Sequence, residues 1–283
     1  MPPARSGERR GAIPLAQALA LGILQGPTEL LPVSSSGHLT LLPWLLEWNW
    51  DVDHELRKAF EVTLHSGAAA ALAVALRGEL LPRTPRHCVL LALSVAPAAL
   101  FGLAFERPIE RHLGTPTTVA FGMLGGGLAL VFSDRAGQTR RREDAGPGDA
   151  LWLGLAQACA LFPGVSRGGA TLAAARMRGF ARADASRLSG ELALPVIAGA
   201  AVLKGTRARA RRLPPGARAP FVAGAVASFA STLASRPLYR LGALPLAPYA
   251  AYRILLATAV LARARKARPP GSLARGSSRT SRR

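Results

Sequence analysis

Along this chain the hydrophobic positions gather into apolar windows of bilayer-spanning length, divided by short polar or Gly/Pro-rich breaks. Windows at about 60–77, 87–105, 116–133, 188–203, 219–235 and 246–262 predict spanning helices. Two further windows, 12–25 and 149–162, are apolar but too short to span comfortably. The first runs into Gly26-Pro27 and then a second break at 32–37, and the other into a break at 163–169. Such segments fit half-helices that enter a bilayer and turn, the first of them at Gly26-Pro27, because non-helical backbone at membrane depth survives only where protein buries it or water lines it. The helix after the first pair of breaks is expected to end near Trp48 and Trp50, placed as interfacial anchors, and the helix after the other break near Phe180. Mixed-charge loops are expected at 51–58 and 106–111, and basic loops at 77–86 and 204–212.

The two broken windows are related. At an offset of 132 without a gap, Leu21, Gly22, Gln25, Val33, Ser34 and Gly37 face Leu153, Gly154, Gln157, Val165, Ser166 and Gly169. Gly67 and Ala68 likewise face Gly199 and Ala200. Chance similarity between Ala- and Leu-rich segments is the bland alternative; two copies of one unit is the reading the spacing favours. The polar stretch 134–148 is then the boundary, with repeat one at about 12–133 and repeat two at about 149–262 in one membrane domain, 12–262. Basic tails, 1–11 and 263–283, flank that domain, the second suited to anionic lipid headgroups.

Composition supports a membrane chain: 283 residues, 49% hydrophobic and 18% charged. A net charge of +20 raises the question of nucleic acid, but the basic runs flank hydrophobic spans and no nucleic-acid motif or aromatic platform accompanies them. The positive-inside rule explains them better, and by charge alone the tail and basic loops are cytoplasmic. The basic N-terminus and the apolar stretch after it could pass for a signal peptide, but that stretch continues into the polar motif that follows it and is expected to belong to the mature protein. Cys88 and Cys159 lie in apolar windows and read as small buried hydrophobes, with no disulfide framework or Cys/His metal motif.

Candidate chemistry sits in the breaks. An ionisable residue inside an apolar segment marks a functional site by default, and residues 21–39 carry Glu29, His38 and three serines. Gln25 and Glu29 are four apart and share a helix face. One carboxylate and one amide form a sparse oxygen set, suited to Mg²⁺ or Ca²⁺ only if substrate phosphate completes the shell. Ser34, Ser35 and Ser36 before Gly37 offer hydroxyls and N–H groups where a turn feeds a helix, an arrangement suited to phosphate. His38 is close enough in sequence to serve as a base for a serine, and Arg167 in the equivalent turn needs an anion. That anion is either substrate phosphate or, structurally, Glu29 across the repeats.

These stretches, QGPTELLPVSSSGH and PGVSRGGAT, closely resemble the paired signature motifs of the bacterial undecaprenyl-diphosphatase family of the bacitracin-resistance type. FEVTLHSGAAAALAV and ELALPVIAGA resemble further family segments, and the likeness extends over about 12–262. The resemblance implies an all-α, polytopic transmembrane enzyme of two inverted-topology repeats with re-entrant helix pairs. It would hydrolyse undecaprenyl diphosphate to undecaprenyl phosphate and inorganic phosphate with a divalent cation, Mg²⁺ or Ca²⁺, for which Glu29 is the candidate ligand. By motif position it implies Ser35 as nucleophile, His38 as its catalytic partner, Glu29 as the acidic residue and Arg167 as the phosphate-binding arginine. Gln25, Ser34, Ser36, Gly37, Ser166, Gly169, Thr171 and Glu61 would line the substrate. It further implies a multi-pass protein of the bacterial inner membrane with its site on the periplasmic side, membrane lipid as a partner, no nucleic acid, and a homodimer as the candidate oligomer.

Three positions depart from the family pattern. Gln25 replaces an acidic residue, Gly168 stands where a serine is expected, and His65 replaces a commoner glutamine, reading as a helix-packing histidine. A PAP2-type lipid phosphatase is discounted because Ala173 occupies the place of that chemistry's nucleophilic histidine. A transporter or flippase of an anionic prenyl lipid is the alternative from another class.

Overall fold

The computed structural model describes residues 13–50, 52–75, 84–134, 137, 139–193, 195–199, 213–214 and 216–266. The expected N-terminal tail, residues 267–283 of the C-terminal one, the basic loop at 204–212 and most of that at 77–86 lie outside the described residues, while 263–266 belong to the last helix rather than to a tail. The described chain is all-helical: α1 Leu15–Leu30, α2 Ser35–Leu45, α3 His54–Ala75, α4 Pro85–Leu113, α5 Pro116–Ser133, α6 Pro147–Cys159, α7 Arg167–Met177, α8 Arg182–Glu191, α9 Arg218–Ala234 and α10 Ala247–Lys266. Pro85–Phe105 and Pro116–Ser133 are long and apolar enough to cross a membrane by length and composition. Local chemistry sets many of the starts. Thr84 and Thr115 accept the His87 and Thr118 N–H groups as N-caps, each followed by Pro at the first helical position, where the missing N–H is no loss.

The helix boundaries follow the 132-residue offset. Transferred by that offset, the bounds of α2 coincide with those of α7, and those of α5 fall within one residue of α10 at each end. Packing is exchanged between the copies. α1 lies along α9, α6 lies along α4, and α5 packs on α10, so the two short apolar helices are each held by the other copy. Glycines permit the close approach: a Cβ on Gly22 would sit 2.6 Å from the Gly224 carbonyl of α9, and one on its counterpart Gly154 would sit 2.7 Å from the Ser94 carbonyl of α4.

Gly26-Pro27 does not end the first half-helix as expected; α1 runs through it to Leu30. Pro27 has no N–H for the Ile23 carbonyl, and the Ser231 hydroxyl of α9 donates to that carbonyl at 2.5 Å, which removes the cost of the break. The helix ends instead at Leu31, the residue before Pro32, where the proline ring disfavours helical backbone. The loop expected at 106–111 is also helical: α4 continues past its apolar window through two Glu and two Arg, good helix formers, and accommodates Pro108 within the helix. Helix is interrupted at Leu192, inside the span expected over 188–203.

Trp48 and Trp50 are partly buried against the cluster that holds Phe60, Leu39 and Phe221, and Trp50 Nε1 donates to Gln17. Cys88 and Cys159 are exposed, not buried. They lie on outer faces of helices that also present Val89, Leu100, Phe101, Leu103, Leu151 and Leu155, an apolar exterior suited to lipid. In such a chain apolar residues face outward as well as inward, so an apolar window does not predict burial.

The 134–148 boundary is pinned by charge. Asp134 accepts from Arg176, Arg182 and the Leu246 N–H, and Asp149 accepts from Arg140, Arg178 and the Gly146 N–H. Burial pushes the Asp149 carboxyl up, but the Arg140, Gly146 and Arg178 donors outweigh it and hold the pKa at about 2.

Candidate active site

Both breaks close in the same way. Ser34 and Ser166 adopt left-handed backbone, with φ of 77° and 72°, and each side chain accepts an N–H at the start of the next helix, from Gly37 at 3.2 Å and from Gly169 at 3.1 Å. Positive φ is uncommon outside glycine and is retained where the surroundings over-determine it. Here it turns the chain sharply enough to leave Ser35 and Arg167 as the first residues of α2 and α7. The first-turn N–H groups of both helices carry the partial positive charge of the helix dipole.

Glu29, in the last turn of α1, is the centre of the cluster. Its Oε2 accepts from the Ser35 hydroxyl at 2.9 Å and from Gln25 Nε2 at 2.9 Å, and lies 3.2 Å from His65 Nδ1. Its Oε1 accepts from Arg167 Nη2 at 3.5 Å, across 138 residues of sequence. The two breaks therefore meet. Arg167 also donates from Nη1 to the Ser189 carbonyl at 3.4 Å, and Thr171 shares a 2.6 Å hydrogen bond with the Ser189 hydroxyl, bracing α7 against α8. Glu29 and Arg167 line a small, partly open cleft of about 40 Å³, whose walls include Leu30, Leu72, Leu172, Ser189 and Tyr239. Its lining combines an ion pair with apolar side chains, a mixture suited to an amphiphilic anion.

The remaining predicted residues divide by place. Gln25, Ser34, Gly37, Ser166, Gly169 and Thr171 are buried within the two turns or on the helix faces behind them. Ser36 is exposed in the first turn of α2. Glu61 pairs with Lys58 at 2.6 Å, one turn along α3 from His65, and does not bond to the Glu29 cluster.

His38 is placed differently from its expected role beside Ser35. Its Nδ1–H donates to the Ser34 carbonyl at 2.7 Å, and its Nε2 accepts from the Tyr252 hydroxyl of α10 at 2.5 Å, with the two rings stacked. Both ring nitrogens are thus committed to the first turn and to α10, and the carboxylate of Glu29 is the acceptor at Ser35. His65, read from sequence as a packing histidine, stands in the cluster. It is four residues from Glu61 on an amphipathic helix, and that spacing was the available signal.

Among the described residues no three His, Cys, Asp or Glu side chains converge as a metal cage. The buried Gln25 Oε1 has no hydrogen-bond partner, while Nε2 of the same amide faces Glu29. One carboxylate and one orphaned amide oxygen fit a hard cation that takes its other ligands from substrate phosphate and water, and do not fit an all-protein site.

Comparison with known proteins identifies the family of the chain. The family model described as bacitracin resistance protein BacA matches residues 18–259. The chain is 39% identical over 267 residues to the undecaprenyl-diphosphatase of Geobacter sulfurreducens, covering 88% of this chain and 97% of that protein. It is 36% identical over 266 residues to that of Geobacter metallireducens, with 86% and 96% covered, and 38% identical over 200 residues to that of Moorella thermoacetica, with 66% and 75% covered. With the family model spanning both Ser-capped turns and every residue of the Glu29 cluster, this chain belongs to the family of the bacitracin resistance protein BacA.

Proposed function

We propose that this chain is a membrane phosphatase that hydrolyses undecaprenyl diphosphate to undecaprenyl phosphate and inorganic phosphate, recycling the carrier lipid for cell-wall synthesis. The observation that carries this reading is the convergence of Ser35 and Arg167, from two distant segments, on the carboxylate of Glu29, which with Arg167 lines a cleft. The printed function of the relatives, undecaprenyl-diphosphatase, supports the choice of substrate.

In the reaction the terminal phosphate lies between α2 and α7. Arg167 leaves its long contact with Glu29 and grips two phosphate oxygens with its planar fork. Backbone N–H groups at the starts of α2 and α7 receive the other oxygens. Ser35 Oγ attacks the terminal phosphorus in line, its proton passes to Glu29 Oε2, and the bond to the bridging oxygen breaks to release undecaprenyl phosphate. Water then attacks the phosphoserine, and the serine recovers its proton as inorganic phosphate leaves. His38 holds the Ser34 turn by its bond to the carbonyl, which keeps Ser35 aimed. A divalent cation, Mg²⁺ or Ca²⁺, would be held by Glu29 and Gln25 Oε1 together with the diphosphate. It supplies charge neutralisation on the phosphate oxygens.

The fold reading that accompanies this function is a pair of inverted repeats with re-entrant helix pairs α1/α2 and α6/α7. At about 1.5 Å per residue the 11-residue α2 and α7 reach about 16 Å, roughly half of the ~30 Å hydrocarbon core. Exchange of α1 and α6 between the copies suits an interlocked inverted pair. We place the protein in the bacterial inner membrane with the cleft toward the periplasm.

Purified protein in detergent, given undecaprenyl diphosphate with and without chelator, tests the reading. Phosphate release, lost in Ser35→Ala, is the expected result; absence of release from folded wild-type protein in the presence of Mg²⁺ and of Ca²⁺ refutes it. A trapped phosphoenzyme mapped to His38 would transfer the nucleophile's role to the histidine.

A further inference from the structure

The largest fully buried side chain among the described residues is Arg253, on α10, with no exposed surface. Among those residues no carboxylate pairs with it. Its guanidinium donates only to backbone carbonyls: Nη1 to Pro32 at 3.0 Å, Nη2 to Gly164 at 3.0 Å, Val165 at 2.7 Å and Gly122 at 3.5 Å, and Nε to Met123 at 3.3 Å. Pro32 lies two residues before the Ser34 cap, and Val165 immediately before the Ser166 cap. One side chain therefore touches the backbone of both breaks and of α5.

A buried cation without an anion is costly unless every donor is met, and a broken helix at membrane depth leaves carbonyls that need donors. The two needs are met by each other. Lysine could not substitute, since its ammonium has three donors at one point, whereas the guanidinium has five spread over a rigid plane. The surroundings are shaped for that plane. A Cβ on Gly169 would come 2.7 Å from Nη1, and one on Gly126 would collide with Nη2. The copies are unequal here: the position equivalent to Arg253 is Phe121, an exposed residue of α5, so a single arginine serves both turns.

We propose that Arg253 is a positioning residue of the active site, locking the two Ser-capped turns in register so that Ser35 and Arg167 address one phosphate. It touches neither residue of that pair and acts through the backbone segments that carry them. Its loss lets the α2 and α7 starts drift apart while each remains folded, so the phosphate is still bound but no longer in line with Ser35.

The kinetic consequence rests on the phosphatase reading, and the positional one does not; the experiment measures both. In a Cys88→Ser, Cys159→Ser background, spin labels at Leu46→Cys and Met177→Cys, on exposed residues just past α2 and at the end of α7, report the separation of the two helices by pulsed EPR. The distance distribution is expected to be narrow with Arg253 present and broad in Arg253→Lys and Arg253→Met. In unlabelled protein Arg253→Lys is expected to lower kcat for undecaprenyl diphosphate by about 100-fold, the scale of an ångström-sized misplacement. KM should change by less than about threefold, since uniform binding is kept. A narrow distribution in Arg253→Met, or an unchanged kcat in Arg253→Lys, overturns the proposal. If neither arginine variant purifies as folded protein, Gly126→Ala tests the same tie, because Arg253 stays while the added methyl enters the seat its guanidinium shares with the Val165 carbonyl. It should broaden the distribution and lower kcat in the same way, and wild-type behaviour there overturns the proposal. If wild-type protein releases no phosphate, the phosphatase reading falls and the EPR distances alone decide the role of Arg253.

Discussion

Replacing Glu29 by glutamine keeps the shape of the side chain and removes its charge, which isolates what the carboxylate does. Three donors face its oxygens: Ser35 and Gln25 at Oε2, each at 2.9 Å, and Arg167 at Oε1 at 3.5 Å. An amide has one accepting oxygen. If the amide oxygen faces Ser35, the NH₂ meets the Arg167 guanidinium; if it faces Arg167, the NH₂ meets the Gln25 amide and Ser35 must turn its hydroxyl away. Loss of one hydrogen bond to a charged group costs about 1.5–3 kcal/mol, or roughly 10- to 150-fold in rate if it is made in the transition state. Loss of the proton acceptor itself contributes about 10²–10⁴. The two terms describe one carboxylate and are not additive, so a fall in kcat of about 10³-fold is expected for Glu29→Gln. Phosphate release from undecaprenyl diphosphate by detergent-purified protein measures it, with thermal melting as the control for folding. A folded Glu29→Gln enzyme within tenfold of wild-type kcat would falsify the assignment of Glu29 as acceptor of the Ser35 proton.

Arg167→Lys keeps the charge but replaces a planar fork with a point donor, and kcat should fall by about 100-fold or more in single-turnover phosphate release; turnover near that of wild type contradicts the bidentate grip. Gly26→Ala places a methyl 2.6 Å from the Ser231 carbonyl of α9, and such overpacking costs about 1–3 kcal/mol, so the apparent melting temperature should drop by several degrees. An unchanged melting temperature would show that α1 and α9 can separate there freely. Asp149 titrates at about 2 when folded, below the ordinary value of 3.8, so its stabilising effect is complete above about pH 4 and is lost as pH falls toward 2. Melting scans of wild type and Asp149→Asn over that interval should therefore converge on acidification, and a constant gap between them contradicts the linkage.

Much of the helical frame is legible in the residues themselves. Thr84-Pro85 and Thr115-Pro116 mark helix starts, Leu31-Pro32 marks an end, and the 132-residue offset relates elements whose bounds agree to the residue in α2 and α7. These signals are short-ranged: a cap is a hydrogen bond across three residues, and a proline acts on its neighbour and on the carbonyl four residues before it. The same locality explains the misreading at Gly26-Pro27. Proline leaves the Ile23 carbonyl without its helical donor, and the donor that replaces it is Ser231, 208 positions along the chain from Ile23.

The motifs also marked Glu29, Ser35, Arg167 and the flanking serines as a polar set that an apolar segment would not otherwise carry. Which groups touch was decided by packing. His38 is three residues from Ser35, yet its nitrogens are directed to Ser34 and to Tyr252 on α10. His65 comes from α3 to lie 3.2 Å from Glu29, and Arg253 reaches back 221 residues to Pro32. Sequence alone determined the capped helix starts and which residues carry charge or hydroxyls, because dihedral preference, capping and side-chain ionisation are properties of a residue and its near neighbours. The tertiary structure alone decided the pairing of α1 with α9 and of α6 with α4, the donor for each orphaned carbonyl, and the acceptor for Ser35. Those depend on distances between segments remote in sequence, which no local pattern encodes.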